Sequence, residues 1–77
     1  MDVEERMNAI DEYVKTCGGS GCTWAKLLHM FDDHPRSGNQ LHYALKKLDA
    51  QGRTFQVKGP DGAITVFSSS CYIKKAA

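Results

Sequence analysis

The chain is short of most things that a membrane anchor, a secreted scaffold or an enzyme needs. It has no run of about 18 apolar residues, so no segment reads as a membrane-spanning helix. Cysteine is scarce and odd in number, three in 77 residues, which excludes a closed disulfide framework and fits free thiols in an intracellular, reducing compartment. Net charge is nearly absent at +1, which excludes a uniformly basic polyanion binder. Neither a phosphate-binding glycine loop nor a nucleophile elbow is present. A chain of this length buries only about 60–65% of its unfolded surface, enough for one modest core and no deep catalytic cavity. Its first residues, MDVEERMNAIDEY, are acidic and amphipathic, unlike a signal or transit peptide.

What charge there is lies unevenly. Residues 1–35 hold three Lys or Arg against seven Asp or Glu, a net −4, and residues 36–77 hold seven against two, a net +5. The C-terminal half is thereby suited to meet a polyanion, and the N-terminal half is expected to face away from it. Cys17, Cys22, His29 and His34 deserve a zinc test. Only six residues separate Cys22 from His29, whereas a Cys2His2 finger needs about twelve between its ligand pairs, so no metal site and no cofactor is expected.

Hydrophobic spacing supplies the elements. Val3, Met7, Ile10 and Val14, widened by Tyr13, form one stripe and predict a helix over residues 3–16. The run Gly18-Gly19-Ser20-Gly21 ends it. Cys22 and Thr23 read as a short extended entry and candidate third strand, and Thr23 caps a second helix carrying Trp24, Leu27, Leu28 and Phe31. That helix stops near Asp32-Asp33, which read as helix-end and capping residues. A third helix runs to about Ala50, starting from a Ser37/Gln40 capping box or from Asp33 with Pro35 in the first turn, and Leu41, Ala44, Leu45 and Leu48 form its stripe. Gly52 is its C-cap. The period then falls to two: Phe55 and Val57, the turn Gly59-Pro60-Asp61-Gly62, and Ala63 to Phe67 predict a β-hairpin with Phe55, Val57, Ile64 and Val66 facing inward. Residues 1–68 make one domain and 69–77 a partly disordered tail, of which Cys71, Tyr72 and Ile73 are candidates to dock back on the core.

Helix, short strand, helix, helix, hairpin is an α+β order that resembles the winged helix, a helix-turn-helix with a two-stranded β wing, over residues 3–67. Opposite the leucine stripe of the third helix lie Arg36, Asn39, Tyr43, Lys46, Lys47 and Ala50, flanked by Gln40 and His42. A tyrosine among cations and amides, pointing away from the core, suits contact with phosphates and bases rather than packing. Asn39-x-x-x-Tyr43, followed by Leu45, Leu48, Gly52 and a proline-containing wing, resembles the recognition helix of Z-alpha domains, which bind left-handed DNA or RNA by shape. That resemblance implies that Asn39 and Tyr43 contact the zigzag backbone and a syn base, that Gln40 is the adjacent polar contact, and that Pro60 is the nearest wing residue. The family's wing tryptophan has no counterpart here: the sole tryptophan, Trp24, is in the second helix, and the wing has one proline. The expected function is non-catalytic binding of a DNA or RNA duplex, Z-form included, or of single-stranded RNA, with Arg36, Lys46, Lys47 and Lys58 neutralising phosphates. The modest affinity of four such contacts suggests a second domain or copy.

The alternative is a protein-binding winged helix. The Cys17…Gly21…Leu27-Leu28…Leu48…Gly52 framework also resembles the C-terminal domain of the middle subunit of replication protein A, which implies an apolar and acidic surface for a partner helix. No enzyme is expected, because nothing orders Cys71, His29, His34, Asp32 and Asp33 into a nucleophile and base.

Overall fold

The structure, a computed structural model, describes residues 2–34 and 36–70. Pro35 and the docking candidates Cys71, Tyr72 and Ile73 lie outside the described residues. Helix α1 spans Val3–Cys17, strand β1 Cys22–Thr23, helix α2 Trp24–Phe31, helix α3 Asn39–Ala50, strand β2 Thr54–Lys58 and strand β3 Ile64–Ser68. The result is a small α+β domain of three helices and a three-stranded antiparallel sheet in the order β1-β3-β2. None of the described helices is long and apolar enough to cross a membrane.

The helical stripes meet as their periodicity requires. Met7, Ile10 and Val14 of α1, Leu27 of α2, and Leu41, Ala44, Leu45 and Leu48 of α3 are buried together, with Cys22 and Val66 of the sheet closing the cluster. Two residues of α1 that belong by type to its polar face are buried as well, Arg6 and Asp11. Burial of a charge is tolerated only with partners, and each has them. The Arg6 Nε donates to the Phe31 carbonyl at 2.7 Å, and its guanidinium pairs with Asp33 at 3.4 Å. The Asp11 Oδ2 accepts from Arg53 Nη2 at 2.7 Å and Nε at 3.1 Å, with Lys15 at 3.6 Å. The Asp11 Oδ1 is buried without a hydrogen-bond partner among the described residues.

The end of α3 is closed by the turn at Gly52, but its C-cap falls one position earlier than expected. Gln51 is the C-cap, and Gly52, at φ 73°, follows it in the left-handed region. Arg53 N donates to Leu48 O and Gly52 N to Asp49 O, both at 3.0 Å, the paired bonds of a Schellman motif. The start of α3 departs from both expected caps. Helix α3 begins at Asn39 after the left-handed N-cap Gly38. Ser37 Oγ donates instead to the His34 carbonyl, Gln40 Oε1 accepts from Asp33 N at 2.7 Å, and the Asp33 carboxylate meets Arg6. The capping carboxylate is Asp32: its Oδ2 accepts from Leu41 N at 2.9 Å and its Oδ1 from His34 N at 2.7 Å. Asp32 is nine residues before Leu41, so the cap is set by the turn between α2 and α3 rather than by a local motif.

Two further expectations are corrected. Cys17 and Cys22 are joined in a disulfide, with Cα atoms 6.2 Å apart. The Gly18–Ser20 turn, a 3₁₀ segment, folds back and brings the two together, so neither is a free thiol or a metal ligand. In the hairpin, Thr54 pairs with Ser68, Phe55 with Phe67 and Gln56 with Val66. Side chains alternate across a sheet, so buried Val66, Ser68 and Thr54 share the inner face with half-buried Ile64. Phe55 and Val57 therefore face outward rather than inward. Val57 is 47% exposed, and Phe55 stacks on Phe67 with centroids 5.2 Å apart. The cause lies at Asp49, whose carboxylate accepts from Thr54 Oγ1 and Gln56 Nε2, both at 2.6 Å. Those two bonds hold the polar side of β2 against α3.

Gly21 marks where the turn meets the sheet. It sits at φ 71°, and a Cβ there would lie 2.8 Å from the Phe67 ring and the Thr65 methyl. A Gly21→Ala variant combines a left-handed alanine with a clash. It is expected to lose on the order of 2 kcal/mol, measured as a shift of the urea midpoint at unchanged slope.

Candidate nucleic-acid interface

Helix α3 presents the predicted residues because its leucine stripe is fully committed to the core. The opposite surface is left to Asn39, Tyr43, Lys46 and Lys47, all exposed. Tyr43 is 50% exposed, and Lys47, one turn on, holds its ammonium 5.1 Å from the ring centroid. This is a cation–π contact, which keeps the charge in water beside the aromatic face. Gln40 is half-buried because its carbonyl caps Asp33. Arg36 is exposed on the turn before α3.

Cation pairing divides the molecule. Among the described residues the ion pairs engage Arg6, Lys15 and Arg53. Arg53, a C-terminal-half cation, is fully occupied: besides Asp11 it donates to Asn8 Oδ1 and Gln51 Oε1, both at 3.2 Å. Arg36, Lys46, Lys47 and Lys58 are exposed and form no ion pair among the described residues. Lys58 ends β2 and Pro60 lies in the turn that follows it, at the free end of the hairpin. Its turn is closed by Gly59 N to Ala63 O at 2.8 Å and by Asp61 Oδ1 accepting from Ala63 N at 3.1 Å.

Tyr43 also borders a groove that the sequence did not announce. Asn39, Gln40, Tyr43 and Ala44 of α3 face Asp2, Val3 and Arg6 of the α1 end across a space of about 640 Å³. It adjoins a second hollow lined by Val3, Glu4, Met7, Tyr43, Lys47, Gln51 and Arg53. Acidic groups of the N-terminal half thus stand beside Tyr43, against the expectation that this half faces away. Asp2 is the N-cap of α1, and the Glu5 N–H on its Oδ1 holds its carboxyl below the ordinary value.

On its other flank α3 carries His42, whose ring lies edge-on to Trp24 with centroids 6.5 Å apart. The apolar spacing of α2 carries no sign of this contact between Trp24 and α3. No known family model matches the chain, and no curated protein or solved structure is significantly similar to it.

Proposed function

We propose that the chain is a non-catalytic nucleic-acid-binding module of winged-helix type, reading phosphate backbone and shape through α3 and the hairpin. The observation that carries this reading is the half-exposed Tyr43, with Lys47 over its ring and Asn39 one turn before it, beside cations without acidic partners. Asn39, Gln40 and Tyr43 supply hydrogen bonds to phosphates or base edges, and Arg36, Lys46, Lys47 and Lys58 supply charge. Pro60 shapes the hairpin tip that accompanies them. The likeness of Asn39 and Tyr43 to a Z-alpha recognition helix makes left-handed duplex one candidate target, and A-form or single-stranded RNA another.

Titration of a labelled duplex across salt concentration tests this. Four phosphate contacts predict a slope of about −3.6 for log K against log salt. The same protein added to an alternating CG duplex inverts its long-wavelength circular dichroism if the Z-form is selected. Saturable binding without inversion leaves a general backbone binder. Absence of binding at low salt refutes the reading.

A protein partner is the second reading, favoured by the apolar groove beside Tyr43 with Asp2 and Glu4 at its edge. It predicts no affinity for any polyanion.

A further inference from the structure

A cleft of about 400 Å³ opens between the start of α2 and the hairpin, lined by Thr23, Trp24, Ala25, Gly62, Ala63 and Ile64. Its size falls in the range of about 300–1,000 Å³ typical of small-ligand sites. We propose that this cleft receives one unstacked base of a single-stranded nucleic acid whose backbone runs from α3 to the hairpin. The proposal rests on the nucleic-acid reading above and names the class of strand.

Three placements support it. Trp24 offers an aromatic wall, with His42 of α3 edge-on beside it, and Ile64 at the start of β3 lines the same cleft. Lys58 is the cross-strand partner of Ile64, so a cation stands one strand away from the cleft. On α3, Lys46 lies one turn after His42 and shares its flank. Both lysines are exposed and outside every ion pair among the described residues. An aromatic wall with cations on the neighbouring strand and helix is the kind of arrangement that binds single strands, with phosphates on the charges and the base on the ring. A continuous duplex keeps its bases stacked inside and has none to place there.

Trp24 is the only tryptophan of the chain, so its emission reports this cleft alone. A thymidine dodecamer is expected to quench it saturably, and a blunt dodecamer duplex to quench it far less. Ala25 and Ala63 are exposed and line the cleft, and Ala25→Glu and Ala63→Glu each place a carboxylate in the cleft without disturbing the core. Fluorescence anisotropy of labelled strands is expected to show each variant about tenfold weaker for the dodecamer, the order that one stacked base carries. Duplex affinity is expected to stay within about twofold. Duplex binding with no quenching by the single strand, or single-strand affinity indifferent to both carboxylates, overturns the cleft and leaves the α3 reading standing. Failure of both strands to bind at low salt overturns both.

Discussion

An Asp32→Ala variant is expected to lose about 3 kcal/mol of stability, because one carboxylate satisfies both the N-terminus of α3 and the turn that leads to it. Loss of a helix cap costs about 0.5–2 kcal/mol. Here the capped Leu41 N–H is left buried without an acceptor, which raises that cost to about 1–3 kcal/mol, and the His34 N–H loses its acceptor as well. In a domain of this size that lowers the melting midpoint by roughly 12–24 °C. The loss has a pH signature. Burial by itself raises the Asp32 pKa, but the Leu41 and His34 amides and the Arg6 guanidinium outweigh it and hold the carboxyl below its usual 3.8. A carboxylate whose folded pKa is depressed contributes its stability fully above the unfolded value and loses it as pH falls through the folded one. The gap in stability between wild type and variant is therefore expected to be constant near neutrality and to shrink below about pH 3.8. A gap independent of pH down to the acid transition would show that the charge of Asp32 does not matter to the cap.

The second large effect is expected on binding rather than on folding. Tyr43→Ala and Asn39→Ala remove side chains that lie outside the buried core, so each is expected to change stability by about 1 kcal/mol or less. Each is expected to weaken nucleic-acid affinity about tenfold or more, since an aromatic contact to a base is worth about 1–3 kcal/mol. Lys47→Ala separates the two contributions at this point. It removes the ammonium from the Tyr43 ring and is expected to lower the salt slope by about one, as loss of a phosphate contact does. Anisotropy titrations of the three variants at two salt concentrations make the comparison. Affinity unchanged in both Tyr43→Ala and Asn39→Ala would remove α3 from the interface.

The sequence alone determined what periodicity controls. Spacings of three and four placed Val14, Leu27, Leu41, Leu45 and Leu48 in one core, because a helix repeats every 3.6 residues and an apolar stripe must be buried against another. The same geometry made Tyr43 point outward. Thr23 and Gly52 marked helix ends through local chemistry that needs no distant partner. Tertiary structure alone decided whatever depends on residues far apart in the chain. Arg6 and Asp11 look like surface charges until Phe31, Asp33 and Arg53 are brought to them. Asp32 became the cap of α3 across nine residues, displacing the Ser37 motif. Strand pattern identified the hairpin but not its facing: a two-residue period reads the same from either side, and the bonds from Asp49 to Thr54 and Gln56 chose the polar side. Trp24 came to lie against His42, and Asp2 and Glu4 came to lie beside Tyr43, because packing α1 and α2 against α3 brings together surfaces that no local spacing encodes.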